Sequence, residues 1–304
     1  MLTTASGGGY GMLFWLGMLN AAGMMPGQPS FGIPAIIIAL ILSTVGLLAS
    51  TLHLGHPERA WRAISQWRSS WLSREGVLAL LTYLPALGFA AAWWFAGPRA
   101  TVSMVLGVIA AVLGIATVFS QAMIYTSLKP VRQWHNNFVP PVLLLLALAS
   151  GAACLAAMTI FWALPGARAA AAIAVALCLI TMAVKLSYWR FIDTKPSSST
   201  IESATGLGAL GPVREFERPH TEENYLLREM GYAIGRKHAD RLRSVAITAG
   251  FVIPAILLFV GLLIANPAAM VLFPVSALFS LLGIYAERWL FFAEATHTVM
   301  LYYG

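Results

Sequence analysis

Two ionisable residues flank one short polar connection: His53, just after Ser50, Thr51 and Leu52, closes an apolar run, and Glu75, beside Arg74, opens the next. An imidazole at such a lip can hydrogen-bond a quinone carbonyl, relay a proton, ligate haem or cap a helix. A carboxylate at an apolar boundary is costly unless paired, so Glu75 is expected to have an arginine or histidine partner and to suit proton exchange. The spacing leaves a shared pocket and two independent caps both open. Glu287 and Arg288 are neighbours, about 100° apart on a helix, so each is expected to seek partners on other helices more than each other. Glu294 and His297 are one helical step apart and are candidates for proton transfer or an interfacial pair. Lys185 and Arg190 read as anchors at the membrane surface, Tyr125 and Trp134 as belt residues. The two cysteines, Cys154 and Cys178, lie inside apolar runs and form no CxxC set for zinc or an iron–sulfur cluster. A metal redox centre would need histidines, and of the six present only His53 and His297 sit where they could face each other across a haem.

The elements that position these residues are set by composition. The 304 residues are 59% hydrophobic and 10% charged, with mean hydropathy +0.77, far from the roughly 25% charge of soluble domains. Apolar runs at about 10–25, 33–53, 76–96, 102–125, 139–162, 169–191, 245–265 and 270–292 are each long enough to cross hydrocarbon. The expected fold is all-α: a polytopic membrane protein, a bundle of eight transmembrane helices forming one anchor domain over 1–304. An autonomous soluble enzyme is excluded. No basic stretch precedes the first run, which is therefore expected to be a retained helix and not a cleaved signal. A transporter would be expected to show internal repeats and broken helices; Pro254 and Pro274 offer kinks, but no repeat stands out.

The excess of 19 Lys+Arg over 12 Asp+Glu, net +7, resembles a nucleic-acid signature until the charges are placed. They flank the apolar runs, so no nucleic-acid partner is expected. Fifteen lie on the side of the N-terminus, the even connections and the C-terminus, against Arg99 and Arg168 on the other. The positive-inside rule then puts both termini and the three long connections in the cytoplasm. The 54–75 connection interleaves Trp61, Trp67 and Trp71 with arginines and suits a short helix at the membrane–water interface. The 194–243 connection starts rich in Ser, Thr and Gly. It then offers Thr221 as an N-cap, Glu222 and Glu223 in a first turn, and Lys237, Arg241 and Arg243 near a helix end. A solvated charged helix and a surface for a partner protein are both open, and the second is preferred because such a long ordered segment needs something to rest against.

The stretch His53-Leu-Gly-His-Pro-Glu-Arg59-Ala60, followed by Ser73-Arg74-Glu75, resembles the membrane-anchor subunits of the dimethyl sulfoxide reductase family. So do ESATGLG at Glu202–Gly208 and NYLLREMGYAIGRKHA at Asn224–Ala239, and the likeness extends over the whole chain. The resemblance implies an anchor with no haem or cluster of its own. Its implied partners are an iron–sulfur subunit and a molybdopterin catalytic subunit, held on the membrane lipid, with a site for a quinone, ubiquinone or menaquinone. It implies quinone-site roles for His53, Glu75, Arg59 and Arg74, proton exchange through Glu75, and docking of the partner on basic residues such as Arg62, Arg68, Arg228, Arg236 and Lys237. Cytoplasmic placement in a bacterial inner membrane, combined with the resemblance, favours the sulfite-oxidising type over an S- or N-oxide reductase that oxidises menaquinol.

Overall fold

The computed structural model describes residues 2–52, 55–162, 164, 166–194, 199–214, 216–217, 233–264 and 266–302. His53, Arg228 and the helix start expected at Thr221 lie outside the described residues. The regular structure of the described residues is helical, apart from one isolated bridge between Val131 and His297. Six long helices come first: α1 Leu2–Ala21, α2 Pro29–Leu52, α3 Trp71–Ala96, α4 Thr101–Thr126, α5 Val139–Phe161 and α6 Ala167–Thr194. Short helices α7 Ile201–Thr205 and α8 Ala233–Lys237 follow, then α9 Ala239–Leu263 and α10 Asn266–Ala293.

Local chemistry sets the ends. The Ser70 hydroxyl accepts from the Ser73 amide at 3.5 Å to open α3. Gly97, at φ +85°, closes it in a conformation that a side chain would strain. Pro140 and Pro141 sit in the first turn of α5, where a missing N–H is harmless. Inside α9 the ladder slips into a π turn at Thr248–Val252, immediately before Pro254, whose ring cannot serve an α-helical bond.

Seven helices, α2 to α6, α9 and α10, are long and apolar enough to cross a membrane. Their outer faces carry rows such as Ile37, Ile41 and Leu48, or Leu80, Leu84 and Leu87, all exposed; such rows face hydrocarbon. Helix α1 is not among the seven. Its 20 residues span about 30 Å, but Thr3, Thr4, Ser6 and three successive glycines dilute its hydropathy, and it is enclosed by α2, α4 and α5. The expected count of eight crossings therefore rests on α1.

Glycine makes that enclosure possible. A Cβ on Gly11 would overlap the Ala147 carbonyl, and one on Gly151 would overlap the Gly11 backbone, so α1 and α5 touch main chain to main chain. With little hydrophobic drive between helices in lipid, such contact supplies the packing. The same device recurs where Gly283 of α10 meets Gly250 in the π turn.

Candidate functional site

Glu75 lies in the second turn of α3 and is buried, with 7% of its surface exposed. Its Oε1 accepts from Gln121 Nε2 at 2.7 Å, and the same amide donates to Ser6 Oγ at 3.2 Å. The start of α3, the end of α4 and the start of α1 thus meet on one carboxyl group. The expected cationic partner is not what is found among the described residues: the hydrogen-bond partner is a neutral amide. Arg74, one residue away, points elsewhere, because adjacent helix positions diverge by about 100°. Its guanidinium lies 4.3 Å from the Trp71 ring centroid and donates to the carbonyls of Trp67 (3.0 Å) and Arg68 (2.6 Å).

The connection before α3 is a 3-10 helix, Pro57–Gln66, with no residue buried. Its end is tied down where the Ser73 hydroxyl donates to the Ala63 carbonyl. Arg62 and Arg68 stack on Trp61 and Trp67 at 5.5 and 5.4 Å, and both tryptophans are exposed. Arg59 is also exposed, 3.8 Å from Glu58. These arginines form an outward rim, while Glu75 faces the interior.

Three further charged residues are buried at the same end of the bundle. Lys185 of α6 is 1% exposed, and Glu287 and Arg288 of α10 are 0% and 3% exposed. Lys185 is ion-paired with Glu287, and Arg288 donates to the same carboxylate, through Nη2 at 2.8 Å. Three expectations are corrected here. Lys185 is no surface anchor, because its ammonium is drawn inward to Glu287 and over the Tyr188 ring at 4.1 Å. Glu287 and Arg288 do engage each other, since long side chains curl across the 100° that separates their Cα–Cβ bonds. Tyr125 and Trp134 are likewise not belt residues: their rings lie 5.5 Å apart, and Trp134 Nε1 donates to the Phe291 carbonyl at 3.0 Å.

Glu294 and His297 are not brought together by any hydrogen bond among the described residues. Glu294 accepts from Arg243 Nε at 2.6 Å and Trp189 Nε1 at 3.2 Å, and Arg243 also clasps Asp193 at 2.6 and 2.9 Å. Burial raises the Glu294 carboxyl above its ordinary range, against the pull of Arg243. His297 Nδ1 instead accepts from the Val299 amide at 3.1 Å and lines a cleft of about 250 Å³ with Arg132 and Gln133. Arg236 donates to the carbonyls of Ala293 (3.1 Å) and Ala295 (2.9 Å), holding the end of α10; Lys237 is exposed. No group of three or more His, Cys, Asp or Glu that could hold a metal occurs among the described residues. Gln121, Ser6 and Asp193 do not stand out in the sequence; the one signal for Gln121 is an amide within an otherwise apolar run.

A buried carboxyl with an amide partner thus sits at one end of a helical membrane bundle, below a rim of arginine and tryptophan. The family model described as "DMSO reductase anchor subunit (DmsC)" matches residues 2–294. The chain belongs to that family. It is 32% identical to a sulfite dehydrogenase subunit of Allochromatium vinosum, over 99% of this chain and 96% of that protein. A shorter similarity, 30% identity over 36% of this chain and 39% of the relative, links it to "Anaerobic dimethyl sulfoxide reductase chain YnfH" of Escherichia coli. As a DmsC-family anchor, the protein is a helical membrane subunit, and the elements described above are the parts from which its role is built.

Proposed function

We propose that this DmsC-family protein anchors an iron–sulfur subunit and a molybdopterin catalytic subunit at a bacterial inner membrane and passes electrons between the iron–sulfur subunit and membrane quinone. The observation that carries the reading is Glu75: a carboxyl group buried in apolar surroundings at the bundle's basic end, held by the Gln121 amide. Reduction of a quinone adds two electrons and two protons, so its site must hold an exchangeable proton in a water-poor setting. Glu75 supplies that proton and recovers it from the aqueous side. His53, two residues before the Gly55-His56-Pro57 stretch that leads into the 3-10 helix, binds a quinone oxygen. Arg59, Arg62 and Arg68, with Lys237 and Arg228, form the basic surface on which the iron–sulfur subunit docks, while Arg74 fixes the end of the connection.

The match over 96% of a sulfite dehydrogenase subunit favours sulfite oxidation with quinone reduction as the overall reaction, with the catalytic subunits on the cytoplasmic face. That placement agrees with the excess of Lys and Arg on one side. The test is the complex carrying Glu75→Gln. The variant assembles and keeps sulfite turnover with a soluble dye, while quinone-linked turnover falls at least about tenfold. Full quinone-linked turnover in that variant would remove Glu75 from the site.

A further inference from the structure

Between α1, α4, α5 and α10 lies a cavity of about 10 Å³, room for about one water. Its lining includes Thr4 and Gly7 of α1, Gln121 of α4, Ser150 of α5 and Arg288 of α10. Two of these residues carry buried polar atoms with no hydrogen-bond partner among the described residues: Thr4 Oγ1 and Arg288 Nη1. An unpartnered guanidinium N–H is costly in an apolar interior, and a small polar void lined by such a group is where an ordered water belongs. On one side of the void, Gln121 reaches Glu75 and Ser6. On the other, Arg288 binds Glu287, which pairs with Lys185. Lys185 lies 4.8 Å from the Trp189 ring centroid, and the indole N–H of Trp189 donates to Glu294. Glu294 then meets Arg243, which binds half-exposed Asp193 at the bundle's rim.

We propose that this cavity holds an ordered water, bonded by Arg288 Nη1 and Thr4 Oγ1 beside the Gln121 amide, that is the last station of the proton route to Glu75. The route rests on the reading of Glu75 as the proton donor at the quinone site. When Glu75 gives its proton to a quinone oxygen, the carboxylate left behind takes one from the route, and the outer end takes one from the aqueous phase. The two electrons come from the iron–sulfur partner. Gln121 and Arg288 carry no proton across; they hold the water in line.

The experiment uses the whole complex in membranes. A Cβ on Gly7 would meet only Ala147 atoms, at 3.6 and 3.8 Å, so Gly7→Ala fits while taking room from the water. Gly7→Ser puts a hydroxyl there instead, and Thr4→Val removes the orphan hydroxyl at nearly constant volume. Expected for Gly7→Ala and Thr4→Val are a fall in quinone-linked turnover of about fivefold or more, a larger solvent deuterium isotope effect, and unchanged dye-linked turnover and quinone KM. Gly7→Ser recovers the rate. Wild-type quinone-linked turnover and isotope effect in both Gly7→Ala and Thr4→Val, with Glu75→Gln inactive, would overturn the route and leave the quinone site standing. Full activity in Glu75→Gln would instead overturn the site reading on which the route rests.

Discussion

At the scale of single residues, the informative contrast is between two buried carboxylates. Glu75 has an amide for company, whereas Glu287 holds two cations. Taking charges out of water costs several kcal/mol per ion, and removing one member of a set leaves the rest exposed to that cost. The triad of Lys185, Glu287 and Arg288 carries a net +1, so its members are unequal. Lys185→Met leaves a neutral Glu287–Arg288 pair, whereas Glu287→Met leaves two adjacent cations with no anion. Glu287→Met is expected to lower stability by about 3–5 kcal/mol and Lys185→Met by much less, read as melting midpoints of the purified complex. An equal loss in both would mean that the three charges do not act as one set. Sequence alone makes Glu75 conspicuous, because a carboxylate at the mouth of an apolar run is rare. It does not reveal Gln121, since an amide carries no charge and its spacing to Glu75 has meaning only once α3 and α4 lie antiparallel. Nor does it reveal the depth of Lys185: position near the end of a run resembles an anchor until the side chain is seen to turn inward.

At the scale of elements, α1 is held by contacts that depend on missing side chains. Gly11→Ala would drive a methyl into the Ala147 carbonyl and is expected to cost about 1–3 kcal/mol of stability. Gly76→Ala, in open space within α3, is expected to leave stability unchanged or raise it by about 0.4–1 kcal/mol. Thermal melts of the two variants check this, and equal melting midpoints would contradict the close approach. Apart from α1, expected from about 10 and found from Leu2, the long apolar helices were legible from hydropathy to within about five residues. The start of α9 was not: the expected run begins at 245, whereas the helix begins at Ala239. The extra turns carry Asp240, Arg241 and Arg243; hydropathy rejects them, but the Asp193 and Glu294 carboxylates accommodate Arg243. The 3-10 helix at Pro57–Gln66 was legible as a short helix from its Trp and Arg spacing, though not its tighter winding.

At the scale of the whole molecule, the connection after α4, the end of α6 and the residues after α10 gather at one end. Arg132 Nη2 donates to the Phe191 carbonyl at 3.3 Å, Tyr188 OH to the Gln133 carbonyl at 3.0 Å, and the Thr298 amide to the Pro130 carbonyl at 2.9 Å. The charge asymmetry predicts that this end is cytoplasmic. A cysteine placed at Ser203, exposed in α7, is expected to react with an impermeant maleimide only from the cytoplasmic side, and one at exposed Arg99 only from the opposite side; the reverse pattern would move the partner subunits across the membrane. The native Cys154 and Cys178 sit within α5 and α6 and give no background in such labelling.

The buried triad also constrains how the chain is made. Lys185 and Glu287 belong to helices separated by about a hundred residues, which a ribosome adds in roughly 5–20 s. For that interval α6 is in the membrane with its lysine unneutralised, and the flexible stem lets the ammonium reach towards lipid phosphates at the basic end. Arrival of α10 supplies Glu287 as the counter-charge that the buried ammonium needs. Closure of the interior around Lys185 therefore waits on α10.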